Sequence, residues 1–240
     1  MLRLSMQLHK WIALIVGVQV LFWVAGGLVM TAIPIERVRS EHRLVKPSPA
    51  PLALGDLVSV QTAAARAGVA PVEAALKSTA RGPVWSLKAA DGEEVAVSAR
   101  TGRRLARMSE AEARAVAARA YKGPGRPVQA RFYAKAPAET GKEGPLWRVD
   151  FNDAERTAFY LAPETGEVAT RRSNVWRLFD FFWRLHILDL KNGEDFNNPW
   201  VIGFAALTLP VVITGFILLW IRLARDLKML RTRKRPAAAE

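Results

Sequence analysis

Two long stretches of the chain carry no charged residue, Trp11 to Ile33 and Trp200 to Ile221. Each is long enough to cross roughly 30 Å of hydrocarbon as a helix, so two transmembrane helices are expected. The first runs on through Thr31 and Pro34 into Glu36 with no small-residue cleavage site, which favours a retained anchor over a signal peptide. Between the two stretches the pattern changes to shorter elements. The run "KPSPAPLALGD" reads as an extended linker, and Leu54 to Ala67 has a partial helical stripe of Leu54, Leu57, Val58, Ala64 and Ala65. "VWSLKAADGEEVAVSARTG" then alternates as two strands around Asp91-Gly92, a dipeptide whose residues both tolerate positive φ in a tight hairpin.

The same order returns. "SEAEARAVAARAY" opens with Ser109 and Glu112 in capping-box spacing and continues as an alanine-faced helix. Strands are expected at "VQARFYAK", "LWRVDFN" and "RTAFYLAPETGEV". Trp85 and Trp147 take matching places, as do Thr101-Gly102 and Thr165-Gly166, so the middle of the chain reads as a tandem duplication. Past it, "NVWRLFDFFWRLHILDL" would as a helix gather Trp176, Phe179, Trp183, His186 and Leu190 on one face, with Arg177, Asp180 and Arg184 on another. Such a segment would lie along a membrane surface.

Charge changes the picture in two ways. Arg3 and Lys10 precede the first apolar stretch, while Arg222, Arg225, Lys228, Arg231, Arg233, Lys234 and Arg235 follow the second, which puts both ends on the cytoplasmic side and the middle on the far side. The net charge of +13 includes the seven cations that follow the second stretch at one membrane edge, where they favour anionic lipid headgroups, which argues against nucleic acid as partner. With 0 cysteines, the middle domain is held by an ordinary core and not by disulfides.

The helix, hairpin and closing strand with a Thr-Gly turn, ending in "VAVSARTGRRL" and "FYLAPETGEVA", resemble the PepSY domain, here twice. "LHKWIALIVGV" at the first apolar stretch, "PIERVRSEH" after it and "WRLHILDLKNGEDFNNPW" before the second resemble the PepSY-associated transmembrane proteins of bacteria. The resemblance covers most of the chain. The expected fold is an α+β membrane protein, two transmembrane helices bracketing a periplasmic domain of two repeats in the bacterial inner membrane. The segments are 1–34, cytoplasmic N-terminus and first transmembrane helix; 35–53, linker; 54–107 and 108–172, the repeats; 173–198, interfacial segment and loop; 199–222, second transmembrane helix; and 223–240, basic cytoplasmic tail. Some larger relatives are similar to haem-bearing reductases that release iron from siderophores. This chain departs from them in having two spans, so a self-contained electron path is not expected unless a second chain or a partner supplies helices.

The candidate chemistry rests on three histidines, His9, His42 and His186. His9 lies on the cytoplasmic side, so only His42 and His186 could act together within one chain. Neutral histidines in apolar surroundings ligate haem iron, and all three are candidate ligands for haem b. The structural alternative for His186 is an imidazole hydrogen-bonded to a carbonyl or to Glu41, Asp189 or Glu194. For His9, Lys10 and Trp11 the alternative is anchoring at the interface. The small face of Ala13, Gly17, Val24 and Gly27 suits helix packing, a homodimer included. Gln19 is expected to seek a partner within a helix bundle, and a threonine beside Pro210, Thr208 or Thr214, to take the carbonyl freed by the missing N–H. "KNGEDFNNPW" does not have calcium-loop spacing and reads as a turn or helix cap before Pro199.

No cysteine nucleophile, Gly-rich phosphate loop or His-Glu-x-x-His motif occurs. The reading that follows is a membrane-anchored module without catalysis of its own, and with no cofactor, that binds or regulates a periplasmic protein or peptide or another membrane protein. The alternatives are a haem-linked reductase component of iron acquisition and a structural subunit of a larger membrane complex.

Overall fold

The computed structural model describes residues 2–45, 55–191 and 193–233. The chain divides into two units: Ile33–Phe179, and Met1–Ala32 together with Asp180–Glu240.

The central unit is α+β. Helix α3 (Val60–Ala67) precedes a sheet of β1 (Pro71–Thr79), β2 (Gly82–Ala89) and β3 (Glu94–Ser98). Helix α4 (Glu110–Ala120) precedes a second sheet of β4 (Pro127–Tyr133), β5 (Leu146–Phe151), β6 (Ala158–Leu161) and β7 (Val168–Arg172). Both sheets are antiparallel meanders with neighbours in chain order. Their registers coincide. Trp85 pairs with Leu76 and Val97, and Trp147 with Phe132 and Leu161. The partner of Leu161 on β7 is Val168, and in the first sheet Arg104 stands opposite Val97 as an isolated bridge. The fourth strand is thus a full ladder in one repeat and a single pair in the other.

Each sheet buries one face beneath its helix. Ala63, Ala64 and Ala67 pack on Leu87, Val95 and Val97, and Met108, Ala113, Val116 and Ala117 on Trp147, Val149, Phe159 and Leu161. Small helical side chains bring the backbone close to the sheet in both. Ser109 and Glu112 make the full capping box. Gly102 (φ +71°) and Gly166 (φ +72°) end the closing turns, and a Cβ at Gly166 would stand 3.0 Å from Val116 Cγ1. Glycine is required there by both conformation and space. The repeats join where Arg81 Nη1, in the β1–β2 turn, donates to the carbonyls of Ala106 and Glu164, each at 2.7 Å.

Three local expectations need correction. Helix α3 starts at Val60, capped by Ser59 Oγ on Thr62 N, and not at Leu54, which lies outside the described residues. Val58 stands before the helix, its N–H on Ala99 O and its carbonyl accepting Trp85 Nε1. At Asp91-Gly92 only Gly92 has positive φ (+89°) and Gly92 N bonds Ala89 O, a turn ending in a left-handed residue and not a turn with two such residues. Helix α5 (Asn174–Ile187) ends before Leu190 because Leu188 turns left-handed at φ +55°.

The other unit contains α1 (Leu2–Ala32) and α6 (Pro199–Arg233), which pack together, and the last part of α5, within which the division falls. Lys10–Ala32 and Pro199–Leu230 are long and apolar enough to cross a membrane. Gln19 is buried, with no partner for its Nε2 among the described residues. Thr208 and Thr214 donate to Phe204 O and Pro210 O, so neither takes the Ala206 carbonyl that Pro210 frees. Each hydroxyl bonds within its own preceding turn instead, the usual local option for threonine in a helix.

Candidate functional site

The described residues contain no cluster of three His, Asp or Glu side chains able to hold a metal ion. Two polar constellations among the described residues lie where the chain passes between its elements, an acidic turn in the central unit and a wrapped loop at the end of α5.

Residues 152–157, between β5 and β6, form the turn. Arg156 N bonds Asp153 O and Phe151 N bonds Thr157 O, and Arg156 is left-handed at φ +49°. The Asp153 carboxylate is fully buried. It accepts from Tyr121 Oη at 2.6 Å, Thr157 Oγ1 at 2.6 Å and Thr157 N at 2.8 Å. Burial alone would raise its pKa, but the bonds from Thr157 and Tyr121, with the Arg43 guanidinium nearby, outweigh that and hold the carboxyl below its ordinary value. Burial and the Asp153 bond push the Tyr121 phenol up to about 12.

Glu155 points to the segment that follows α1. There α2 (Ile35–Val38) and a 3₁₀ turn (Glu41–Arg43) form a strap. Val38 is its buried anchor. Its end is held by Val45 N on Ala120 O and Lys122 N on Arg43 O. Arg37 and Arg43 each approach Glu155 Oε1 at 3.6 Å, and His42 Nε2 stands 3.4 Å from Oε2. The carbonyl of the same Glu155 accepts Asn174 N, the first residue of α5, at 2.7 Å. One turn therefore fastens both segments by which the central unit continues into the remaining helices.

His186 lies in the other unit. Its carbonyl accepts Trp23 Nε1 at 2.7 Å, and a Cβ on Gly26 would stand 3.6 Å from Nδ1 and 3.4 Å from Phe182 O. Nδ1 is buried and has no hydrogen-bond partner among the described residues, so the expected bond to a carbonyl or to Asp189 or Glu194 is not made at that atom. Asp189 instead accepts the backbone N–H groups of Lys191, Glu194 and Asp195. Asn198 closes the loop, its Nδ2 donating to Ile187 O and Asp195 O and its Oδ1 capping α6 at Trp200 N and Val201 N. Trp183 Nε1 donates to Gly193 O. Gly26→Ala is expected to leave thermal stability within about 0.5 kcal/mol, since its new methyl meets ordinary contacts, while Gly26→Leu is expected to lower it by about 1–3 kcal/mol. Equal melting temperatures for the two variants in detergent would contradict the close approach of α1 and α5 at Gly26.

His42 is in the central unit, half-exposed among charged side chains. His9 falls within α1, but its side chain lies outside the described residues. Sequence reasoning goes to the histidines and misses Asp153, Glu155 and Tyr121; it reads the Asn197-Asn198 stretch as a turn or cap before Pro199, which Asn198 is, but not the bond from Asn198 to Ile187 O. A signal was available in "NDAERT", where an Asp and a Thr flank a turn that has an arginine at the position where Gly92 stands in the first repeat.

Neither a curated protein nor a solved structure matches the chain. The family model described as PepSY-associated TM region matches residues 6–239. With two helices long enough to span a bilayer and a central α+β unit between them, the chain is a membrane-anchored PepSY module and belongs to the PepSY-associated transmembrane family.

Proposed function

We propose that this protein is a module without catalysis of its own, which stands in the bacterial inner membrane with both ends cytoplasmic and binds or regulates a periplasmic or membrane partner through its central unit. The observation that supports this most is the acidic turn. Because Glu155 holds the strap by its side chain and α5 by its carbonyl, a partner that displaced the turn would act on both connections at once. Membrane lipids are the second partner, met by the basic residues from Arg222 to Arg235 that follow the second apolar stretch. The test uses the full chain in intact cells, with photo-cross-linking probes placed one at a time at exposed Val72, Val128 and Glu143. Recovery of one and the same protein from a subset of these sites supports the reading. Equal, site-independent recovery of abundant neighbours contradicts it.

A second reading, a haem-linked redox component, is favoured by one observation, the position of His186 against Gly26 and Trp23 of α1. Apolar surroundings suit an axial histidine, and His186 meets that condition better than His42 beside Glu155, Arg37 and Arg43. With Nδ1 closed in against Gly26, Nε2 is the nitrogen left to a ligand. A bound haem b would supply one-electron transfer, and the chain's part would be to hold it, with His9 and His42 as further candidate ligands. This reading expects a sharp reduced-state visible band that His186→Ala removes. A featureless spectrum from folded protein expressed with ample haem would sink it.

A further inference from the structure

The outer face of the second sheet has a cavity of about 480 Å³ lined by Glu139, Arg148, Asp150, Arg156, Asn174 and Arg177. Its two acids are already matched. Glu139 accepts Tyr160 Oη, Arg148 Nη1 at 3.1 Å and Arg177 Nε at 3.3 Å, and Asp150 takes Arg148 Nε at 2.9 Å and Nη2 at 2.8 Å. Arg148 is thereby spent. Burial and the Glu139 bond push the Tyr160 phenol up, so it adds no negative charge. The Arg156 guanidinium has no hydrogen bond or ion pair among the described residues, and Arg177 keeps N–H donors beyond its bond to Glu139 and a long 3.4 Å contact with Asn174 Oδ1. Three arginines around two carboxylates leave an uncompensated positive charge in this recess.

The backbone at Arg156 sharpens the point. Counting back equally from the paired residues Val97 and Leu161, Gly92 and Arg156 occupy the same left-handed position of the two hairpins. Glycine is the residue this position prefers, and the first repeat has it. The second repeat places an arginine there against that preference, and backbone strain of this kind clusters where a side chain serves a site.

We propose that Arg156 and Arg177 form a binding site for a multivalent oxyanion, a phosphate or a polycarboxylate, in this cavity. Planar guanidinium forks match such oxygens with paired hydrogen bonds. The site stands independently of any protein partner. Its phosphate could belong to a soluble anion or to a lipid headgroup, which the experiment separates.

The full chain is reconstituted in zwitterionic nanodiscs and titrated calorimetrically with inorganic phosphate and with citrate at constant ionic strength, chloride serving as control. Saturable binding of one of the two is expected in the wild type. Arg156→Gly is expected to weaken it ~10–100-fold, the loss of one charge-assisted contact, while leaving the melting temperature unchanged or raised, because glycine suits φ +49°. Weaker binding in discs with added anionic lipid assigns the site to a headgroup phosphate, and unchanged binding assigns it to a soluble anion. Heats no different from chloride, Arg156→Gly binding as tightly as wild type, or an Arg156→Gly protein that melts clearly lower would each overturn the proposal.

Discussion

Replacing Asp153 with alanine is expected to destabilise the central unit by about 3–5 kcal/mol, the cost typical of removing one partner of a buried charged pair. The variant leaves Tyr121 Oη, Thr157 Oγ1 and Thr157 N without their acceptor, and Arg43 without the carboxylate 4.0 Å away. Asp153→Asn keeps an acceptor and should lose about 1–3 kcal/mol. The same site dictates a pH response. The Asp153 carboxyl is held below its ordinary value in the fold, so its contribution is complete above the unfolded value of about 3.9 and is lost as pH falls through the lower folded value. Tyr121 has the opposite sign. Raised to about 12, its contribution is complete below the unfolded value of about 10 and is lost as pH climbs from there. Tryptophan-monitored unfolding of the full chain in detergent across pH checks both. An Asp153→Ala protein within 0.5 kcal/mol of wild type, or one keeping the full acid dependence, would refute the assignment.

Asn198→Ala is the second large effect, expected to cost about 2–4 kcal/mol, combining a lost helix cap with two carbonyls stripped of their donor. The residue is buried. Its amide bonds Ile187 O and Asp195 O on one side and the first turn of α6 on the other, so a single truncation frees the end of α5 and the start of α6 together. Asn198→Ser should recover the cap alone, roughly half of the loss. Amide hydrogen exchange at Trp200 and Val201 reads this directly. Faster exchange there in Asn198→Ala, partly restored in Asn198→Ser, is the expected pattern, and unchanged protection would contradict it.

What was legible in the chain was whatever one local rule decides. The capping box at Ser109, the glycines 102 and 166, and the uncharged stretches each depend on a few adjacent residues, and each stands in the structure as its pattern implied. What failed depended on distant partners. The start of α3 is set by Val58 pairing with Ala99 and Trp85, contacts that a helical stripe cannot reveal. Strand β1, "PVEAALKST", is rich in residues that avoid strands, and it forms because β2 offers it a ladder along its whole length. At the candidate sites the histidines drew attention because their chemistry is conspicuous. Asp153 and Glu155 fall between two expected strands with no conspicuous motif around them, and only the fold brings Tyr121, Arg43 and the strap to them. Asn198 was readable as a cap, but its second role at Ile187 O was not.

The proposed placement of the central unit on the far side of the membrane from both ends is most directly tested by cysteine labelling, and the chain helps, since it contains 0 cysteines of its own. Gln7→Cys, Glu143→Cys and Ala237→Cys proteins are exposed in turn to a membrane-impermeant maleimide added to cells whose outer membrane alone has been opened. The account predicts labelling at 143 in intact inner membranes and at 7 and 237 only after those membranes are broken. Labelling of 143 together with 7 or 237 from the same side would contradict it.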